Sequence, residues 1–399
     1  MEHARLQTLP GPAPAGVRDV LVMVGMPLSR KGPAYTAAML ARAMRSDALR
    51  PVIYTSANRW AGAPLDLPVV TGAPDFGTLA NGVALRLAGG TLQRRIQTKL
   101  LAALRDAPVP PIVWMFGNHP LSLARELHAM GIPVVREKIN CAKATGRRLI
   151  GAEHAKYGFP PFTEISERAC AQEAEELRLA DAVFCPSPMV TQSLLELGIP
   201  AERLLATSYG WEPERLAGTS RALEPMDDGI TLAFVGQLCV RKGVHVLLEA
   251  WARANIRGRL VFAGGVDPLI RERYAEILAR PDVIQLGFVK DVGAVYRSAD
   301  WFIFPTLEEG GPQVTYEAAG CGVPAIVSRM GAGAFTRDGL DGHVVEPIDV
   351  DTWAAMIASL PDRRAEREAM AASALAHAAD FTWEKVGARR REALLARFG

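Results

Sequence analysis

Trp301-Phe302-Ile303-Phe304 runs through Pro305-Thr306-Leu307-Glu308 into Glu309-Gly310-Gly311-Pro312-Gln313-Val314-Thr315-Tyr316-Glu317. The four apolar residues read as a short buried strand, Glu308 to Gly311 as a polar glycine loop, and Pro312 as a first helical residue, where a missing N–H costs nothing. Strand, glycine loop and helix in that order make one unit of a parallel α/β sheet. The helix therefore opens beside a carboxylate. Its unpaired amides and positive dipole end favour an anion such as phosphate, and small glycines let a ligand approach the backbone.

Outward from this unit the pattern repeats. Val20 to Val24, Pro51 to Tyr54, Ile112 to Met115, Val134-Val135 and Ala182 to Phe184 are short apolar runs, separated by longer amphipathic stretches such as Ala34 to Met44, Leu121 to Met130 and Met189 to Leu197. Glu212 to Gly229 has no periodicity and is rich in Pro, Gly, Ser and acidic residues, which marks a linker. The alternation then restarts with Leu232 to Val235, Val244 to Ala254, Leu260 to Ala263, Ile270 to Leu278, Val283 to Leu286 and Phe302 to Phe304. The expectation is an α/β protein: two doubly wound, Rossmann-like parallel-sheet domains facing a cleft, with ligands at the carboxyl ends of the strands.

The chain has 399 residues, 49% of them hydrophobic and 22% charged, enough for two large cores and unlike a disordered or fibrous composition. A net charge of +2 gives no case for nucleic-acid binding. Cys141, Cys170, Cys185, Cys239 and Cys321 are scattered without metal-site spacing and read as reduced thiols. Met1 to Gly16 lacks the apolar core of a signal peptide, and no run is long enough to span a membrane. The expected location is cytoplasmic.

Carboxylates accept hydrogen bonds from sugar hydroxyls, while amides and cations hold a diphosphate, so the opening stretch suits a sugar carried on a nucleoside diphosphate. Two glutamates at this spacing are on their own ordinarily solvated, but the match runs further. The stretch resembles the E-x7-E region of the retaining family-4 glycosyltransferases: both glutamates, Gly310, the pair Glu317-Ala318, Gly320 or Gly322, and Pro324 fit. The resemblance implies the two-domain GT-B architecture, with Glu309 touching the donor sugar and Glu317 the ribose hydroxyls, while Gly310, Gly311, Gln313 and Val314 form the surrounding donor wall. It covers most of the chain. Ser187-Pro188 and Tyr209-Gly210-Trp211 resemble further family segments, and Thr382 before Trp383 resembles the capped start of the closing helix. The implied organisation is an acceptor-binding domain over 1–212, a linker over 213–229, a nucleotide-sugar domain over 230–380, and a C-terminal helix over 381–399 that packs back on the first domain.

Phe234-Val235-Gly236-Gln237-Leu238-Cys239-Val240-Arg241-Lys242-Gly243 is a strand, a glycine turn and a basic pair before a helix, suited to a diphosphate. In the family an arginine and a lysine grip that group. Lys242 matches, but Gln237 stands at the arginine position, so leaving-group stabilisation is weakened unless Arg241 reaches in. Phe288 and Val289, after Leu286-Gly287, resemble the loop against the nucleotide base, with a core role for Phe288 as the alternative. Gly32 lies where the family has its first glycine-rich loop, and a simple loop glycine is the plain alternative. His119 follows the Ile112 to Met115 strand, either as a substrate contact or capping the Leu121 helix. The family's donor-contacting histidine is missing after Gly131-Ile132-Pro133-Val134-Val135, where Lys138 or Asn140 is the substitute.

Arg86, Arg94, Arg95, Lys99 and Arg105 form one basic group and Arg136, Lys138, Lys143, Arg147 and Arg148 another; each is a candidate for peripheral contact with anionic lipid at the inner membrane face, against the plain reading of solvated faces. Asp349-Val350-Asp351 looks like a metal-binding D-x-D, but N-capping of the following helix explains it better. No metal and no cofactor is expected. The partners implied are a nucleotide-sugar donor and a glycan or lipid-linked acceptor, and no nucleic acid. The expected reaction is retaining hexosyl transfer to a hydroxyl in surface-polysaccharide synthesis. A GT-B-shaped epimerase or phosphorylase, and a non-catalytic nucleotide-sugar-binding scaffold, are the rivals. The loops Ser56 to Asn81 and Asn140 to Phe162 carry no decodable acceptor motif.

Overall fold

The structure, a computed structural model, describes residues 11, 13–14, 16–61, 63–73 and 78–399, and the side chains within 78–88 are not described. The readings of the opening ten residues and of the Arg86 side chain therefore lie outside the described residues.

Seven parallel strands form the first sheet: β1 (Arg18–Val24), β2 (Leu49–Thr55), β3 (Val69–Thr71), β4 (Ile112–Phe116), β5 (Val134–Glu137), β6 (Ala182–Cys185) and β7 (Leu204–Ala206), in the order β3-β2-β1-β4-β5-β6-β7. Six more form the second: β8 (Ile230–Val235), β9 (Gly258–Ala263), β10 (Val283–Gly287), β11 (Trp301–Phe304), β12 (Ala325–Val327) and β13 (Gly342–Val344), in the order β10-β9-β8-β11-β12-β13. Helices cover both faces of each sheet, so central strands are buried on both sides and read as unbroken apolar runs. Val20 to Val24 and Trp301 to Phe304 are all at most 3% exposed. In the first sheet Val22 pairs with Ile53 on one side and Trp114 on the other, leaving β1 no free edge.

Chain order reverses between β1 and β4 and again between β8 and β11. Loops leaving the carboxyl ends of those neighbours diverge, and a crevice opens there. The Gly236 to Lys242 loop follows β8, the Glu308 to Gly311 loop follows β11, and the Lys138 to Asn140 segment follows β5. Topology alone thus collects these segments at the cleft.

The closing helix Trp383–Phe398 crosses back to the first domain, where Gly387 lies against Ala43 of the helix Gly32–Met44; an added Cβ would stand 2.3 Å from the Ala43 Cβ. Thr382 caps the helix by accepting from the Lys385 amide.

The structure corrects the sequence reading in several places. Asn140 to Phe162, read as loop, contains the helix Lys143–Lys156, whose buried positions are Thr145, Gly146, Ile150 and Glu153. One apolar residue in four gives no helical stripe to detect. This helix reaches the second domain, where Glu153 Oε1 lies 2.9 Å from His245 Nε2. The linker contains a short helix, Pro213–Leu216, with Leu216 buried. Strands β3 and β7, three residues each, were too short to stand out.

Candidate active site

Gly243 explains why the two conspicuous loops of the second domain meet. Its φ is +68°, and a Cβ there would sit 1.9 Å from the Pro305 carbonyl oxygen, so only glycine allows the β8 loop to lie on the β11 loop. The Leu307 amide then donates to the Arg241 carbonyl at 2.9 Å. This contact places Lys242 beside Glu309, and the ammonium and carboxylate form an ion pair. Arg241 does reach in: its Nη1 lies 3.1 Å from Glu309 Oε1 and donates to the Glu308 carbonyl at 3.1 Å. Gln237, by contrast, is exposed. Burial, aided by the Arg241 charge, pushes Lys242 down to about 7, against the opposing pull of Cys239 and Glu308.

Pro312 is the N-cap rather than the first residue of the helix Gln313–Gly320. Glu317 lies on its second turn, 7% exposed, accepting from the Tyr296 hydroxyl at 3.1 Å and facing Arg215 Nη1 at 3.3 Å. Burial pushes the Glu317 carboxyl up, against Arg215 and Tyr296. Glu309 and Glu317 therefore occupy different settings: one in a cluster of cations, the other in a buried niche.

The glycines after Glu309 serve a purpose different from the open cradle expected. An added Cβ at Gly310 would lie 1.8 Å from the Ile139 carbonyl oxygen, and one at Gly311 2.7 Å from Tyr209 Cδ2. They admit the first domain's own residues. Gln313 donates to the Thr36 hydroxyl, again across the cleft, and Val314 packs against the second-domain core. Gly236 has φ +141° at the carboxyl end of β8, and its carbonyl would collide with any Cβ on Gly264.

Of the other candidates, Phe288 is 76% exposed, which corrects the core alternative; Lys31 of the first domain holds its ammonium 5.1 Å from the ring centre. Val289 packs partly against the second-domain core. Gly32 begins the first helix at φ +58° with open space around it. His119 is buried, its Nε2 3.1 Å from the Phe116 carbonyl, and burial reinforced by Arg136 pushes it down to about 3, so the ring is neutral. It does not cap the helix Leu121–Ala129, where Pro120 is the N-cap. Lys138 is buried in an ion pair with Glu173 at 2.6 Å. Arg136 likewise pairs with Glu176 at 3.5 Å, so the second basic group offers no continuous lipid-facing surface. In the first group, Lys99 donates to the Thr71 carbonyl, while Arg94 and Arg95 stand exposed opposite buried Leu92 and Ile96. Among the described residues no helix is long and apolar enough to cross a membrane, and Asp349 accepts from the Thr352 amide as an N-cap.

Sequence reasoning missed Glu308 and Arg215. Glu308 is 4% exposed and accepts from Asn140 Nδ2 at 2.7 Å and the Cys141 amide at 2.9 Å, tying the β11 loop to the first domain. The available signal was an acidic doublet inside an otherwise apolar, glycine-bearing segment. Nothing in the linker's composition distinguished Arg215.

Residues 229–362 match the family described as glycosyl transferases group 1. A D-inositol 3-phosphate glycosyltransferase of Actinosynnema mirum is 31% identical over 300 residues, covering 69% of this chain and 68% of that protein. The chain belongs to the group 1 glycosyltransferase family. The enzyme of the same name from Streptosporangium roseum is 29% identical over 282 residues, covering 65% of this chain and 63% of its own length, so the chain spans less than two thirds of that relative. In fold, this family member is similar to Anabaena HepE, solved in complex with UDP and glucose: the TM-score is 0.66 at 17% identity, over 95% of this chain and 100% of that one. That similarity establishes the GT-B arrangement of the two sheets.

Proposed function

We propose that this protein is a retaining glycosyltransferase that moves a hexose from a nucleoside-diphosphate sugar to a hydroxyl of a glycan or lipid-linked acceptor in surface-polysaccharide synthesis. The observation that carries it is the cluster at the carboxyl ends of β8 and β11, where Lys242 and Arg241 both meet Glu309. A diphosphate entering there would exchange with the carboxylate for the two cations. Glu309 would then be free to hold sugar hydroxyls, while Glu317, facing Tyr296 and Arg215, would receive the ribose. The exposed Phe288 ring suits the base. HepE and its UDP support a uridine nucleotide as the first ligand to try.

In the transfer, the acceptor oxygen bonds to the anomeric carbon, the bond from that carbon to the diphosphate oxygen breaks, and the acceptor proton passes to the leaving phosphate. Negative charge grows on the diphosphate, and Lys242 and Arg241 stabilise it; preorganised charge of this kind accounts for several kcal/mol of barrier lowering. No residue acts as a covalent nucleophile in this scheme, and no metal or cofactor is required. The cytoplasmic face of a membrane, approached through Arg94 and Arg95, is the proposed working location.

Calorimetry with UDP, GDP, ADP and their sugar conjugates against wild type and Glu317→Ala tests the reading. One nucleotide should bind, and the substitution should weaken it. Absence of binding by all of them would remove the transferase mechanism, binding without turnover would favour the scaffold rival, and turnover to an isomerised sugar or a sugar phosphate would favour the epimerase or phosphorylase.

A further inference from the structure

A cavity of about 380 Å³ opens on the first-domain side of the cleft, walled by Asn118, Asn140, Lys143, Phe162, Glu173 and Glu308. Its volume is at the small end of ligand sites and fits one sugar-sized ring. It adjoins the Glu309 cluster, because Arg241 lines it too.

The cavity has the components of an anion site: a helix start at Lys143, two lysines and two arginines. The buried anion positions are nevertheless taken by carboxylates of the protein. Glu173 places one oxygen 2.6 Å from Lys138 Nζ, and the other accepts the Lys143 amide at 2.6 Å. Glu308 accepts from Asn140 and from the Cys141 amide, with Arg241 Nη1 3.6 Å from its carboxylate. Arg136 is held by Glu176. Arg136, Lys138 and Arg241 are thus paired with Glu176, Glu173 and Glu308, while the Lys143 and Glu164 side chains also line the cavity. Burial pushes the Glu173 carboxyl up, but Lys138 and the Lys143 amide outweigh it and hold it below the usual range, so it stays ionised.

An incoming phosphate would meet fixed negative charge and would have to displace a buried, hydrogen-bonded carboxylate. A hydroxyl has no such cost, since carboxylate oxygens and the two asparagine side chains retain capacity for O–H donors and acceptors. We propose that this cavity is the acceptor subsite and that it selects a neutral polyhydroxyl ring, rejecting rings that carry a phosphate or carboxylate inside it. The inference rests on the transferase reading above and specifies its acceptor. In a lipid-linked acceptor, the phosphate lies outside the cavity and only the sugar ring enters.

Saturation-transfer NMR on the full chain tests this, with methyl α-glucoside and myo-inositol as neutral probes and glucose 6-phosphate and inositol phosphate as charged ones. UDP binding is measured on the same samples, so failure of the donor reading shows separately. The neutral probes should bind, and the phosphates should bind more weakly by roughly tenfold or more, the scale of one charge-assisted contact. Glu173→Gln should narrow that gap. Phosphates binding as well as the neutral probes, neutral probes giving no signal, or a folded E173Q protein with unchanged selectivity would each overturn the proposal. The wild-type panel decides it alone if E173Q does not fold.

Discussion

Glu137 at the end of β5 and Arg390 in the closing helix, 253 positions apart, form two hydrogen bonds of 2.8 and 3.1 Å with both side chains fully buried. The guanidinium is stacked among Phe184, Tyr209 and Trp114 and donates also to the Ser208 carbonyl. Such a pair contributes little net stability when whole, but removing one partner strands the other charge in an apolar setting. Arg390→Met is therefore expected to lower stability by about 3–5 kcal/mol in chemical denaturation, the usual cost of breaking a buried pair. The double substitution Glu137→Leu with Arg390→Met should recover a large part of the loss; no recovery would mean that Arg390 acts through packing alone.

Gly310 offers a test of the closed arrangement. A methyl group at this position would collide with the Ile139 carbonyl and lies 2.9 Å from the Asn140 Cα, so neither can yield by a rotamer change. Gly310→Ala should push the β11 loop off the first domain while leaving both sheets intact. Transfer is expected to drop about a hundredfold, the scale for misplacing reacting groups by an ångström, with Tm nearly unchanged. Kinetics and calorimetric melting on the same preparation check both halves.

The parts of this molecule legible in its sequence are those fixed by local physics. Trp301 to Phe304 is apolar throughout because β11 is covered on both faces, and Gly310-Gly311-Pro312 announces the turn into a helix. Asp349 and Thr382 declare their caps. What remained hidden depends on residues far apart in the chain. Glu308 lies 168 positions from Asn140, and its short neighbourhood says only that it is polar. Gly310 read as a place for a ligand, since a glycine required by another domain's backbone has the same sequence signature as one required by a substrate. The helix Lys143–Lys156 escaped because its buried face carries Thr, Gly and Glu, a pattern set by the second domain and the cavity it borders.

Lys242, pushed down to about 7 mainly by burial, is expected to give donor binding a pH dependence. The cationic form that attracts a diphosphate is present below about 7 and is lost as pH rises through that value. The ratio of UDP affinities, wild type over Lys242→Met, cancels the ligand's own titration. It should be about tenfold at pH 6 and fall toward unity by pH 9. A ratio independent of pH over that range would place the Lys242 titration elsewhere.

Glu317 should show a conflict between stability and function. Burial raises its folded pKa, against Arg215 and Tyr296, so the folded state holds its proton at pH values where the unfolded chain has already released it. Stability attributable to this group is therefore highest at low pH and falls as pH rises from the ordinary carboxyl range through the raised folded value. Glu317→Gln keeps the shape and removes the charge. The variant should melt about 1 °C higher than wild type at neutral pH, a shift corresponding to roughly 1 kcal/mol in a protein of this length. The same change replaces an acceptor-only group with one that also donates, so it should weaken UDP binding by roughly tenfold if the carboxylate receives both ribose hydroxyls. Scanning calorimetry from pH 4 to 8 with and without UDP reads both effects. A variant that melts lower and binds UDP unchanged would make Glu317 a structural partner of Arg215 and Tyr296 instead of a ribose ligand.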